Sequence, residues 1–365
     1  MDIKVITRHA PSNYGSLLQS IATVAVLERL GHTCKIIDYI RDDEHGLNAI
    51  MTSLENKQGW NHNPIKKMAY IIMRYPEEKN AEVKFEKMRK KYLKMTCRCR
   101  TYKDLGKLEA DIFMTGSDQV WGPVLNGKYD EAYFLSFVKG KPKTAYAASF
   151  GRTDFTPQIL SEYKQLLASY SGIAVRENTA FDLLHQMGVN CVGQVLDPTL
   201  LLTGKEWTHF IDQNIHGKYV LVYQLHNNHI LNDYAIRFAK HVNLPLIRIS
   251  PTFHQFRRGG RFVYLPELGT FLSYLKNSTY IITDSFHGTA FAINFNRQFI
   301  EILPNSKTGS RNRSILQLTG LQDRIVTDYA DYSMSKRMID YERVNDILKK
   351  ERVRSLEILE QLLRQ

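Results

Sequence analysis

The side chains able to do chemistry in this 365-residue chain cluster where apolar runs give way to polar loops. Thr283-Asp284-Ser285-Phe286-His287-Gly288-Thr289 follows the apolar run Tyr280-Ile281-Ile282 and turns into a helix. A histidine there can move a proton near neutral pH. Gly288 would let a ligand approach the backbone, and Ser285 and Gly288 are candidate substrate contacts. Asn305-Ser306-Lys307-Thr308-Gly309-Ser310-Arg311 follows one helix and one strand later. Adjacent crossovers set such loops side by side, so Lys307 and Arg311 are candidate anion ligands, one a point charge and the other a bidentate fork.

Other junctions carry weaker signals. Asn13-Tyr14-Gly15-Ser16 precedes the first helix, where free backbone N–H groups favour an anion, although the GxGxxG pattern of a dinucleotide site is missing. In Gly116-Ser117-Asp118-Gln119, Asp118 offers a general base or merely caps a turn. Arg176 beside Glu177, after Ile173-Ala174-Val175, reads as an anion ligand or a structural ion pair. His226 and His229 are spaced HxxH without a third ligand pattern. No metal is therefore expected, and the pair is read as neutral hydrogen-bonding groups. GxSxG, P-loop and HExxH motifs are absent.

The elements that must position these loops alternate. Lys4–Thr7, Cys34–Tyr39, Asp111–Met114, Lys143–Ser149 and Ile173–Val175 read as strands, and Leu17–Leu30 and 157–170 as helices. Gly31 stops the first helix. Residues 42–66 are polar and poorly patterned, and are read as a mobile insertion. A second alternation begins after Pro198, with strands at Tyr219–Leu225, Leu246–Ile249, Tyr280–Thr283 and Gln298–Leu303. Helices are expected near 230–241 and 266–276. Val344, Ile347, Leu348, Leu356, Leu359 and Leu363 mark one stripe of a long C-terminal helix. The expected fold is α/β, two Rossmann-like domains facing a cleft, with loops at the carboxyl ends of parallel strands. The domains are drawn at 1–200, with a basic helical insertion over about 42–105, at 201–335, and at 336–365, a helix packing back on the body.

Composition narrows the function. A 43% hydrophobic and 24% charged chain is globular. It lacks an apolar run of the length that spans a membrane and a signal-peptide-like start. Four cysteines suggest no disulfide framework, and the expected compartment is the cytoplasm, including the inner face of the membrane. Of the net charge of +12, +9 lies between Lys66 and Lys103, with 13 basic and 4 acidic residues. Phe85, Met88, Tyr92 and Met95 recur there at helical spacing, giving an amphipathic helix with a basic outer face. It reads as a solvated face, or as a surface for polyanions or an anionic membrane. Nucleic acid is not expected, since neither a fold motif nor a stacking pattern accompanies the charge.

In order along the chain, several segments resemble the polysaccharide pyruvyl transferase family. They are Asn13-Tyr14-Gly15 with Leu18-Gln19, Thr115-Gly116-Ser117-Asp118-Gln119-Val120-Trp121, Tyr146-Ala147-Ala148-Ser149-Phe150-Gly151, Val175-Arg176-Glu177, Leu196-Asp197-Pro198-Thr199-Leu200-Leu201 and Thr283–Thr289. The resemblance implies a glycosyltransferase B-type fold, with an acceptor-side N-terminal and a donor-side C-terminal domain. It implies transfer of pyruvate from phosphoenolpyruvate to two hydroxyls of a sugar as a ketal, in bacterial cell-surface polysaccharide or exopolysaccharide synthesis. Phosphoenolpyruvate is then a substrate and no cofactor is called for; the acceptor is a sugar, a glycan or a lipid-linked glycan. Arg176, His287 and Lys307 are the functional residues it implies. Ser285 stands where family members tend to carry a second arginine. Asp118 or the His226/His229 pair is left to activate the acceptor hydroxyl. Two other functions fit the architecture or the charge: a glycosyltransferase using a nucleotide sugar, and a non-catalytic basic binding protein.

Overall fold

The computed structural model describes every residue except 56–58, 125, 126, 153, 305–308 and 365. Lys307 therefore lies outside the described residues. Two α/β units are present, Met1–Pro198 with Glu357–Gln365, and Thr199–Leu356. The first ends two residues short of the boundary drawn from sequence and recruits the end of the C-terminal helix.

In the first unit, short runs rich in Ile, Val, Phe and Ala form β1 (Asp2–Ile6), β2 (Thr33–Ile36), β3 (Ile112–Thr115), β4 (Lys143–Ala148), β5 (Gly172–Val175) and β6 (Gly193–Gln194). They make one parallel sheet in the order β2-β1-β3-β4-β5-β6. Its helices are α1 (Tyr14–Arg29), α2 (Gly46–Glu55), α3 (Pro64–Tyr92), α4 (Tyr102–Leu105), α5 (Pro157–Leu167) and α6 (Asn178–Gln186). Because successive crossovers leave β1 in opposite directions, the sheet has a topological switch between β1 and β3. In such sheets ligands bind beyond the carboxyl ends at the switch. Trp121, Phe134, Phe150 and Tyr163 fill one core beside the sheet.

The second unit holds β7 (Val220–Tyr223), β8 (Leu246–Ser250), β9 (Arg261–Tyr264), β10 (Tyr280–Thr283) and β11 (Gln298–Glu301), all parallel in the order β11-β10-β7-β8-β9. The switch here lies between β7 and β10. The remaining helices are α7 (Pro198–Leu201), α8 (Gly204–Trp207), α9 (His229–His241), α10 (Leu268–Asn277), α11 (Phe286–Asn294), α12 (Ser310–Thr319) and α13 (Tyr341–Leu363).

Three expectations need correction. Residues 42–66 are not without structure: α2 occupies Gly46–Glu55, and Ile50 and Leu54 pack on Tyr70 of α3. Met95 falls outside the basic helix, which ends at Tyr92, and forms a bridge with Ile36 instead. Strand β9 was missed because a four-residue edge strand with an exposed first residue carries little periodicity.

Candidate functional site

The loops after β7 and β10 are tied together by one carboxylate. Asp284, fully buried, accepts from the Leu225 amide at 2.7 Å and from the His226 amide at 3.0 Å. The His226 ring stands half-exposed with Nδ1 3.4 Å from Asp284 Oδ2. Ser285 caps α11, its Oγ accepting from the Gly288 amide, so His287 sits in the first turn of that helix, largely buried, with its ring edge-on to Phe286. Gly288 is required by packing. A Cβ there would lie 2.3 Å from Thr283 Oγ1 and 3.2 Å from Tyr223 Cδ1. His229 begins α9 and is exposed, apart from the Asp284 hub. Arg311 lies in the first turn of α12, partly exposed.

Cations missed in the sequence stand beside this hub. Arg248, in the middle of β8 and fully buried, donates to Gln224 Oε1 at 3.2 Å and Asn232 Oδ1 at 2.8 Å. No carboxylate pairs with it among the described residues. Burial, with help from Arg258, pushes its pKa down to about 10, so it remains charged at neutral pH. Arg258 donates to Asn227 Oδ1 at 2.7 Å, feels the charge of Asp284, and its Nη1 is buried without a partner among the described residues. The signal in the sequence was an arginine within Leu246-Ile247-Arg248-Ile249, a charge in a buried run.

The helix bearing His287 is anchored from below. Glu301, buried at the end of β11, accepts from Asn312 Nδ2 at 2.6 Å and shares a short hydrogen bond with Thr289 Oγ1. Thr289 also donates to the Ser285 carbonyl at 3.1 Å, so a protonated Glu301 completes the chain. Burial pushes the Glu301 pKa from 4.5 up to about 8. Its folded-state proton thus contributes stability that is complete below about pH 4.5. That contribution falls by up to about 1.4 kcal/mol per pH unit as pH rises and is gone above about 8. Glu301→Gln, neutral throughout, should lose this slope: its urea midpoint should match the wild type at pH 5 and exceed it at pH 9. Parallel profiles would mean that Glu301 is already ionised in the folded protein.

At the β1/β3 switch of the first unit lies a different network. Arg176 is fully buried among three carboxylates: Asp197 at 2.9 Å, Asp118 at 3.4 Å and Glu177 at 3.5 Å. Burial opposes its charge, but the fields of Asp118, Asp197 and Glu177 outweigh it and hold the pKa above its ordinary value. Asp118 accepts from Ser16 Oγ at 2.9 Å and takes a left-handed backbone, φ 79°. For a residue other than glycine that conformation costs about 1–3 kcal/mol, and such strain clusters at functional sites. Arg8 extends the network, held to Glu44 at 2.5 Å.

Asn13 caps α1 by accepting from the Gly15 amide at 2.8 Å. Tyr14 is a core residue against Phe85 of α3, ring centroids 5.0 Å apart, and Gly15 is buried with it. The substrate role expected of Tyr14 and Gly15 does not suit such burial; the segment's side chains build the start of α1. The sequence also concealed a cavity of about 500 Å³ in this unit, lined by Tyr39, Arg41, Tyr102, Tyr129, Asp130 and Glu131 among others. Tyr39 donates to Asp130 at 2.8 Å, and Arg41 grips Asp43 through two bonds. Burial holds Asp130 above the usual carboxylate range. Flat rings beside carboxylates suit a polyhydroxylated ligand.

Among solved structures the chain is similar to an S. aureus MnaA–UDP complex, at 13% identity and TM-score 0.50 over 95% of this chain and 90% of that one. A putative UDP-N-acetylglucosamine 2-epimerase from Listeria monocytogenes matches at 11% identity and TM-score 0.49, covering 95% of each chain. A UDP-glucosyltransferase from Polygonum tinctorium matches at 11% and 0.45, over 100% of this chain and 98% of that one. The S. aureus likeness bears on the fold alone, which is α/β with two Rossmann-like units. No curated protein matches the chain. Because the family model for polysaccharide pyruvyl transferase matches residues 13–306, a span that includes the loop clusters of both switches, the chain belongs to that family of enzymes.

Proposed function

We propose that this enzyme transfers the pyruvyl group of phosphoenolpyruvate to two hydroxyls of a sugar as a ketal, in the synthesis of a surface glycan. The observation that carries the reading is the charge at the β7/β10 switch: Arg248 and Arg258 with His226 and His287, against Asp284, whose oxygens already serve two backbone amides. Such a surplus suits a donor with a carboxylate and a phosphate to pair. His287 gives a proton to C3 of the donor, turning the methylene into a methyl and leaving an oxocarbenium-like C2. One sugar hydroxyl bonds to C2; the C2–O bond to phosphate breaks; the second hydroxyl closes the ketal. Of the two hydroxyl protons, one restores His287 and the other leaves with phosphate. Each step is a proton transfer or a displacement, so none requires a redox cofactor. Asp118 and the tyrosine-lined cavity of the first unit are the acceptor-binding candidates. A phosphoenolpyruvate donor suits the cytoplasm, where glycolysis makes it.

The test is ligand-induced stabilisation followed by turnover. Phosphoenolpyruvate at 100 times its dissociation constant should add about 2.7 kcal/mol. Arg258→Gln should remove most of that gain and leave the free protein's melting point nearly unchanged, since the bond it gives up, to Asn227 Oδ1, is exposed to water. Phosphate should be released only when a glycan acceptor is also present. Stabilisation by UDP-glucose and none by phosphoenolpyruvate would assign a nucleotide-sugar transferase instead.

A further inference from the structure

We propose that α3, with α2 behind it, docks the enzyme on an anionic lipid bilayer. The helix has 29 residues, about 43 Å at 1.5 Å per residue. One face is spoken for: Tyr70 packs on α2, and Phe85 meets Tyr14. The opposite face carries apolar side chains that stand exposed. Ile65 is 79% exposed, Met68 58%, Ile72 65% and Tyr75 44%, at spacings of three, four and three residues that form one stripe. Met73, 60% exposed, stands at its shoulder. The same stripe continues through exposed Val83 to exposed Lys87 and Lys90, so the aliphatic half of the helix passes directly into a basic half.

Charge selects the occupant. Lys66 and Lys67 flank the aliphatic half. Three of the segment's four acidic residues are engaged within the insertion: Glu77 with Arg74 at 2.7 Å, Glu82 with Lys79 at 3.5 Å and with the Gly46 amide, and Glu86 with Lys90 at 2.8 Å. The segment 66–103 keeps a net charge of +9. A second copy would press that charge against its equal. A nucleic acid has no use for four uncovered aliphatic side chains. A bilayer with anionic headgroups answers both halves, taking the aliphatic stripe into its acyl boundary and the lysines at its surface. Among the described residues no helix is long and apolar enough to cross a membrane, so α3 would lie in the interface plane.

The experiment is co-sedimentation of the full chain with vesicles of phosphatidylglycerol and phosphatidylcholine, and with phosphatidylcholine alone, at low salt where the attraction is longest-ranged. The wild type should pellet with the mixed vesicles and bind pure phosphatidylcholine about tenfold more weakly. Ile65→Ser, Met68→Ser and Ile72→Ser combined should weaken mixed-vesicle binding by about tenfold or more, and so should Lys66→Glu, Lys87→Glu and Lys90→Glu. These positions are exposed or flank the exposed stripe, so the melting points should stay at the wild-type value. Failure of the wild type to bind mixed vesicles would overturn the proposal. So would undiminished binding by the serine variant, or a serine variant that binds as before but changes oligomeric state. Equal capture of wild type and serine variant by dextran sulfate, with no preference for vesicles, would assign a polyanion site and overturn the lipid.

Discussion

His287→Gln should fold, keep part of its affinity for phosphoenolpyruvate, and turn over about 10²–10⁴ more slowly, the usual worth of a positioned acid or base. The fold should survive because the helix start is held by Ser285, Thr289 and Glu301. Affinity should survive in part because Arg258 and Arg311 remain, and the first turn of α11 still favours an anion. The wild-type rate at saturating donor should decline at high pH as the general acid loses its proton, and the residual rate of the variant should lack that limb. Near-normal turnover by a folded His287→Gln protein would remove the histidine from the mechanism. A collapsed melting point with unchanged specific activity of the folded fraction would make it structural.

Arg176→Met should produce the largest loss of stability. Methionine roughly fills the volume, but Asp118, Asp197 and Glu177 are left in a buried cluster without their shared cation. Breaking a buried ionic network from one side costs about 3–5 kcal/mol, which for a unit of this size lowers the melting point by on the order of 10 °C. Arg176→Lys keeps the charge without the fork and should fall between. The resemblance to the family makes Arg176 a donor ligand, whereas its buried position makes it the residue that orders Asp118. The variant separates these roles. An unchanged melting point with complete loss of the phosphoenolpyruvate response would establish Arg176 as a ligand. A large melting-point drop, with the donor response retained in what remains folded, would establish it as the residue positioning Asp118.

The two switches explain why the same few loops carry so much polar content. At each, two strands diverge and leave their following loops uncovered by a crossover, so side chains there can meet a ligand. In the second unit the opening is bridged by Asp284 and surrounded by cations; in the first it is crossed by the Arg176 network and the strained Asp118. The units thus present chemically opposite sites, one short of negative charge and one rich in it.

The alternation of apolar strands and amphipathic helices was legible in the sequence because strand and helix periodicities are local. That is why two parallel α/β units and the helix after Thr283 could be read from residue order, whereas α1 starts at Tyr14, three residues before the Leu17 read from sequence. The family could be read as well, since its motifs sit at the same strand ends. Partnership was not legible. Whether Arg176 faces a ligand or three carboxylates depends on residues 58 positions before it and 21 after, which only folding brings within 3.5 Å. Nothing in residue order showed that Arg248, inside the sheet, has no carboxylate paired with it among the described residues. That Gly288 also makes room for Thr283 was not visible in residue order. The basic helix was visible as a count of lysines, whereas its uncovered aliphatic stripe was not. Periodicity marks which residues share a face, but only the neighbouring elements decide which face is left open.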